Sequence, residues 1–281
     1  MGSVVLVTDS SACLPPAFFY SSHVRVVPIR IILPNGYLKE TPEAIDEIYR
    51  ALAAREPVTS SPPTLPDYLG SIEEGVFDEA LVLTPAREFT GMHHVASMAA
   101  ILSDRPVEVV DTRSIAAAQY LVAAAALGAV AGGAGAAEAA EVARRAAART
   151  AFVAALPERG SMPRAARIAF GEPAGQIAFG EPAGHRRGLP LVRLRDGVVT
   201  PLSDAAPGSD GLDSLKAAWL GSGGSNSEET VVFHGASEPR ALQLSALLGG
   251  LAEIVPLSPS LALQMGVGCI GVAWTEKAKN A

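Results

Sequence analysis

Cysteine is scarce in this sequence of 281 residues. Cys13 and Cys269 are its two thiols; they lie far apart in the chain, and no CxxC pair is present. This pattern excludes a disulfide framework and is typical of proteins from a reducing cytosol. We therefore expect a cytoplasmic location.

Positive charge and long apolar runs are also limited. The 22 Lys and Arg residues against 29 Asp and Glu residues give a net charge of -7. Because nucleic acids and anionic membranes attract basic surfaces, we expect neither as a general partner. The N-terminus lacks the basic and apolar regions of a signal peptide. The longest weakly polar segment, residues 115–133, is mostly alanine and includes Gln119 and Gly128. It is predicted to be a packed helix, so we expect no stable membrane insertion.

Several common catalytic motifs are absent. The chain has no GxxxxGK[ST], GxSxG or HExxH sequence, which removes the usual support for nucleotide hydrolysis, serine hydrolysis and zinc proteolysis. His93 and His94 are adjacent and would point about 100° apart on a helix, so they would not readily share one metal ion. We expect no metal site.

The order of apolar and helical segments predicts an α/β fold of two domains. Hydrophobic residues make up 49% of the chain, which supports a packed core. Through residue 150, short apolar runs alternate with helical segments, and this alternation is typical of a parallel sheet with helices on both faces. Beyond it, a hairpin signal at Asp196-Gly197 and further strands and helices indicate a mixed α/β sheet. We place the first domain at residues 1–155 and the second at residues 156–281.

Four polar corners follow the predicted strands or precede the predicted helices: Asp9-Ser10, Thr59-Ser60, Thr90-Gly91 and Asp111-Thr112. Open α/β sheets bind ligands at the carboxyl edge of their strands, so we expect these corners to converge there. Thr90 precedes a predicted helix at residues 92–102, whose free N–H groups and dipole favour an anion. Alternatively, Thr90 and the aspartates only cap helices. A hydroxyl-lined corner over an apolar interior suits the binding of a carboxylate with an apolar tail better than bond cleavage.

A basic, glycine-rich region follows at residues 158–188 and contains a perfect tandem repeat. Residues 168–175 and 177–184 are identical, with one Gln between them. Two copies of nine residues are too short for a solenoid. We interpret the repeat as a local duplication that lengthens a loop or a helical hairpin.

Short motifs along nearly the whole chain resemble the DegV family in their order and spacing. Residues 8–11 resemble the family's TDSS, 27–29 its VPL, 59–62 its TSQP, 89–92 its LSGT, 110–112 its IDS, 167–168 the end of its GGRI, 190–191 its KPIL and 266–268 its GPG tail.

This resemblance implies a two-domain α/β protein that is a carrier of a long-chain fatty acid such as palmitate, stearate or oleate, without enzymatic activity or another cofactor. The acyl chain would lie inside the first domain. The carboxylate would meet the hydroxyls of Thr59 or Ser60 and of Thr90, beside Gly91, with Arg167 as an additional cation. The resemblance further implies that a separate fatty acid kinase phosphorylates the presented carboxylate for phospholipid synthesis.

Four positions depart from the family pattern. Thr90 replaces a Ser and keeps the hydroxyl. Met92 replaces a Thr, Leu189 replaces a Lys, and Gln264 replaces the His that precedes the GPG segment. The last two changes remove ionic groups from the expected head-group site, so another amphiphilic lipid is an alternative ligand. A second alternative is a phosphotransfer protein like dihydroxyacetone kinase, with His93, His94 or Gln264 as the positions of interest.

Overall fold

The computed structural model describes residues 2–157, 188–206 and 208–278. The strands are β1 (Val4–Asp9), β2 (Val24–Val27), β3 (Arg30–Leu33), β4 (Gly36–Lys39), β5 (Thr59–Ser61), β6 (Glu79–Thr84), β7 (Val107–Asp111), β8 (Thr150–Ala155), β9 (Leu191–Arg195), β10 (Val198–Pro201), β11 (Ser227–His234), β12 (Glu253–Pro256) and β13 (Ile270–Glu276). The helices are α1 (Pro16–Phe19), α2 (Ile45–Ala53), α3 (Leu65–Glu73), α4 (Met92–Leu102), α5 (Ala116–Ala131), α6 (Ala136–Ala147), α7 (Leu212–Gly221), α8 (Glu238–Leu247) and α9 (Pro259–Met265).

The first half contains the predicted parallel sheet, in the order β2-β1-β6-β7. Its two central strands, β1 and β6, are apolar runs buried on both faces, as expected when helices cover both sides of a sheet. Along β1, Val5 and Val7 pack on one side, whereas Val4 and Leu6 pack on the other. The predicted α/β class is confirmed.

Two different cores cover the two faces of this sheet. The outer core lies between the sheet and α2, α3 and α4, and it includes Val7, Ile48, Tyr68, Met92 and Leu263. The inter-sheet core lies on the opposite face and is built on the alanine-rich helices α5 and α6. Helix α5 also contacts β8, β11 and β13 of the second large sheet, so the inter-sheet core is shared by both halves of the chain.

The second large sheet is mixed, as predicted, with the order β10-β9-β8-β13-β11-β12. The β11–β12 pair is parallel, and its other neighbouring strands are antiparallel. Helices α7 and α8 pack on its outer face. Strand β8 (Thr150–Ala155) pairs with β9 and β13, so its sheet is that of the second half. The division into domains 1–155 and 156–281 stays a prediction.

Two details were not predicted from the sequence. Thr59–Ser61 forms strand β5, which pairs with β3 in a small antiparallel sheet of order β4-β3-β5 and not with the parallel sheet. The glycine-punctuated stretch 261–274 separates into α9 and β13. Arg167 and the repeat at residues 168–184 lie outside the described residues. Among the helices that the structure describes, none combines the length and apolar character required to cross a membrane.

Candidate functional site

A cavity of about 240 Å³ lies at the carboxyl edge of the parallel sheet. Its polar wall is made of hydroxyl and amide side chains, namely Ser11, Ser60, Thr90, Ser260 and Gln264. Its apolar wall includes Ile29, Phe89, Met92, Ile115 and Leu261. The cavity therefore combines a small polar end with apolar surroundings, as ligand sites commonly do.

Three predicted ligand-binding residues meet at this cavity: Ser60 from β5, Thr90 from the turn before α4, and Gln264 from α9. They come from distant parts of the chain, so the fold assembles the polar wall. Thr59 is exposed and does not belong to the lining, because successive side chains of a strand point to opposite faces. Gly91 is also exposed and directly precedes α4.

Thr90 has both of the roles considered from the sequence. Its Oγ1 accepts a long hydrogen bond of 3.4 Å from the backbone N–H of Met92, the first residue of α4. The same side chain lines the cavity. Because Oγ1 acts as acceptor towards the helix, the Thr90 hydroxyl proton can still be donated to a ligand.

Asp9 and Ser10 lie behind the cavity wall instead of lining it. Asp9 is fully buried and accepts hydrogen bonds from the backbone N–H of Ser11 at 2.9 Å, from the Ser11 hydroxyl, and from Nε2 of Gln119 at 3.0 Å. Burial raises the pKa of Asp9, although these hydrogen bonds act in the opposite direction. Asp9 therefore orients Ser11, whose side chain reaches the cavity.

Glu40 is a site-supporting residue that the sequence reasoning missed. Its carboxylate is 3% exposed and accepts hydrogen bonds from the Ser10 hydroxyl, from the Ser260 backbone N–H at 2.6 Å and from the Ser260 hydroxyl at 3.0 Å. Burial raises the pKa of Glu40 to about 7, and the charge of Asp9 adds to the increase. No local signal marks Glu40, because Ser260 is 220 residues away in sequence.

Contacts with the first half hold helix α9 over the cavity. The Tyr49 hydroxyl donates to the carbonyl of Leu257 at 2.8 Å, and the Ser258 N–H donates to Sγ of Cys13 at 3.3 Å. Together with the Glu40–Ser260 bonds, these contacts fix the segment that leads into α9. They thereby position Leu261 and Gln264 at the cavity.

The described lining provides binding groups and no general acid–base pair. It contains no His, Cys, Lys, Arg, Asp or Glu side chain. Nearby Cys13 is buried, which raises its pKa to about 12 and keeps the thiol protonated. His93 instead contacts Oγ1 of Thr84 through Nδ1 at 3.0 Å. Within the part of the chain that the structure describes, no group of His, Cys, Asp and Glu side chains is placed to hold a metal ion.

Comparison with known proteins agrees with this architecture. The sequence profile described as "Uncharacterised protein, DegV family" matches residues 3–174. A DegV domain-containing protein of Streptomyces coelicolor is 31% identical, with 98% of this chain and 99% of that protein aligned.

Two solved structures share the fold at low identity. DegV of Bacillus subtilis, a fatty acid binding protein, superposes with a TM-score of 0.82 at 15% identity, covering 99% of this chain and 100% of that one. A stearic acid-binding protein of Eubacterium ventriosum gives a TM-score of 0.81 at 17% identity, covering 99% of each chain. The profile match over more than half of the chain and the end-to-end similarity to the Streptomyces protein establish that this chain belongs to the DegV family.

Proposed function

We propose that this protein binds a long-chain fatty acid, such as palmitate, stearate or oleate, with its carboxyl group in the cavity at the carboxyl edge of the parallel sheet. The carrying observation is that Ser60, Thr90 and Gln264 converge on one cavity with apolar walls. Fatty acid binding by the structural neighbours from Bacillus subtilis and Eubacterium ventriosum supports the same ligand class.

The head group would be held by neutral donors. Within the described residues, the side chains of Ser60 and Gln264 have no hydrogen-bond partner, and Thr90 keeps its hydroxyl proton for a ligand. A carboxyl oxygen accepts such bonds readily. Of the two candidates Thr59 and Ser60, we assign the hydroxyl contact with the carboxyl group to Ser60. A contribution of Arg167 stays a prediction from the family resemblance.

The acyl tail must extend beyond the cavity, because about 240 Å³ is below the roughly 300–1,000 Å³ typical of small-molecule sites. Two routes are open, since the lining residues Ile29 and Met92 pack in or against the outer core, whereas Ile115 and Leu261 pack in the inter-sheet core.

We favour the outer core for the tail. Methionine adapts its shape easily and would let a chain pass. Met92 lines the cavity and also belongs to the outer core, so it joins the polar wall to that core. The alternative route would require α5 to move although strands of both large sheets contact it.

In this proposal the protein is a non-catalytic cytoplasmic carrier. A buried tail and a head group at a sheet edge would allow a separate fatty acid kinase to reach the carboxylate once α9 moves aside. The absence of an acid–base pair from the described lining supports carriage over catalysis. Addition of the kinase subunit and ATP to the lipid-loaded protein should yield an acyl phosphate, and ATP alone should yield none.

A second candidate ligand is an amphiphile with an uncharged head. The observation that favours it is the chemistry of the wall, because Gln264 offers an amide where the family has an ionisable His, and the described lining holds no cation. No comparable observation favours phosphotransfer.

Solvent extraction of protein purified from a bacterial host, followed by mass spectrometry, tests the proposed function. A stoichiometric C14–C18 fatty acid is the expected result. A protein that is empty and stays empty when offered palmitate and oleate would contradict it.

A further inference from the structure

We propose that the cavity accepts its ligand's head as a neutral carboxylic acid, so that fatty acid binding above neutral pH is coupled to the uptake of one proton from solvent. This inference rests on the proposed function and specifies which protonation state of the ligand the site recognises. It follows from the direction of the hydrogen bonds around the cavity and from the charges behind it.

One side of the polar wall presents acceptors. The Ser11 hydroxyl donates its proton to Asp9, and the Ser260 hydroxyl donates its proton to Glu40 at 3.0 Å. Since a hydroxyl carries one proton, the oxygens of Ser11 and Ser260 can only accept further hydrogen bonds. Ser260 Oγ then accepts from the Ser258 hydroxyl at 3.1 Å, and both Ser11 and Ser260 line the cavity. A carboxylate is an acceptor only and finds no donor on this side, whereas the O–H of a carboxylic acid finds an acceptor.

The other side of the polar wall presents donors. Thr90 uses its oxygen to accept from the Met92 N–H, so its own O–H is free to donate. Ser60 and Gln264 add a hydroxyl and an amide that bond to no other described residue. The C=O of a carboxylic acid fits these donors. The two sides together match the donor and acceptor of a neutral carboxyl group.

Buried negative charge disfavours a third carboxylate in this place. Asp9 and Glu40 are 0% and 3% exposed. Each lies directly behind a cavity-lining hydroxyl, Asp9 behind that of Ser11 and Glu40 behind that of Ser260. Among the described residues, the titratable groups facing Glu40 are Asp9 on β1, Cys13 after β1 and Tyr49 on α2, and none of these three is a cation. Burying the charge of a ligand carboxylate beside Asp9 and Glu40 is costly unless a proton neutralises one of the three carboxylates.

The position of the proton sets the pH range of the effect. Burial raises the pKa of Glu40 to about 7, so below that pH the free protein already carries the proton. On binding, Glu40 gives this proton to the Ser260 oxygen while Ser260 gives its own proton to the ligand carboxylate, so the head becomes neutral and Ser260 again donates to ionised Glu40. Above about pH 7, the proton on the ligand carboxyl must instead be taken from solvent. For one proton, linkage predicts that affinity is constant below about pH 7 and falls about tenfold per pH unit above it.

Competition between palmitate and hexadecanamide tests this inference. The amide is a neutral isostere with a C=O and an N–H donor and no titration in this range. Equimolar lipids would be equilibrated with the protein at pH 6, 7 and 8.5, and the bound ratio would be measured by mass spectrometry after gel filtration. We expect the palmitate-to-amide ratio to fall about twofold from pH 6 to pH 7 and roughly 30-fold from pH 6 to pH 8.5, as one proton requires.

Two variants locate the proton acceptor. Glu40→Gln should reduce the fall between pH 7 and 8.5 to less than about threefold, because glutamine needs no proton to be neutral. Glu47→Gln, which changes an exposed carboxylate on α2, should keep the wild-type profile. Circular dichroism would establish that both variants are folded.

The outcomes separate this inference from the proposed function. A ratio that is independent of pH in the wild-type protein would overturn the inference and leave fatty acid binding intact. Binding of hexadecanamide without palmitate at every pH would support a neutral head and overturn a fatty acid as the ligand. Binding of neither lipid would overturn both.

Discussion

The two faces of the parallel sheet are packed in contrasting ways. In the inter-sheet core, eight consecutive residues of α5, Ala116 to Ala123, are buried, and small alanines let the two sheets approach the helices closely. A helix that is buried all round has little freedom to move. In the outer core, larger side chains such as Tyr68 and Met92 pack under helices that have a solvent-facing side. One face is therefore packed tightly between two sheets, whereas the other has the larger side chains to which we assign the acyl chain.

Blocking the outer core is the most drastic way to test this contrast. Met92→Trp should remove nearly all copurifying lipid, because the larger side chain fills the space between the head-group site and the outer core. Stability should change little, because the indole occupies an existing cavity. Bound lipid is measured by extraction and mass spectrometry. Met98→Trp, at a position 39% exposed on the same helix, is the matched control and should retain its lipid.

Glu40 connects the two halves of the molecule and should make stability depend on pH. Its folded-state pKa of about 7 lies above the ordinary value of 4.5, so the folded state binds more protons between these values. The contribution of Glu40 to the free energy of unfolding is therefore greatest below about pH 4.5. This contribution falls as pH rises to about 7, by roughly 3 kcal/mol at most. As pH rises from about 4.5 to about 7, the free energy of unfolding of Glu40→Gln, measured with urea, should increase relative to that of the wild type. A constant difference from pH 5 to pH 8 would contradict this assignment.

Overpacking the inter-sheet core should lower stability and leave the lipid bound, whereas Met92→Trp should do the reverse. Ala123→Leu, at a position 2% exposed in α5, should lower the free energy of unfolding by about 1–3 kcal/mol, since neither sheet can move away. The folded fraction should keep its lipid. Urea unfolding measures the first quantity and lipid extraction the second. Ala131→Leu, at the exposed end of the same helix, should be close to neutral. Loss of lipid from folded Ala123→Leu would instead place the tail in the inter-sheet core.

Removing one hydrogen-bond donor from the polar wall tests where the head group is bound. Thr90→Ala should weaken fatty acid binding by about 1–3 kcal/mol, the usual cost of leaving a buried polar group short of a partner. Thr59→Ala removes an exposed hydroxyl that does not line the cavity and should change affinity by much less. Titration of delipidated protein with palmitate measures both. Equal losses in the two variants would mean that the head group lies elsewhere.

Much of the fold was predictable because local patterns determine it. The apolar strands of the parallel sheet, such as β6, and the helix at Met92–Leu102 are as expected, since buried parallel strands are continuous apolar runs and helix starts carry recognisable polar corners. The convergence of Thr90 with Ser60 at one cavity also agrees with the sequence reasoning.

The features that were not predicted depend on contacts between distant residues. Thr59–Ser61 has the composition of a turn, and its pairing with β3 makes it a strand. Glu40 resembles an ordinary surface glutamate until Ser260 is placed against it. Glycines at 266, 268 and 271 conceal the boundary between α9 and β13, because the sequence does not show which of them ends the helix.

A crystal structure of the protein with bound palmitate would test the central proposal most directly. The account predicts a carboxyl oxygen within hydrogen-bond distance of Oγ1 of Thr90 and Oγ of Ser60, with the acyl chain passing Met92 into the outer core. A carboxyl group outside this cavity, or a chain running between α5 and the second large sheet, would contradict it.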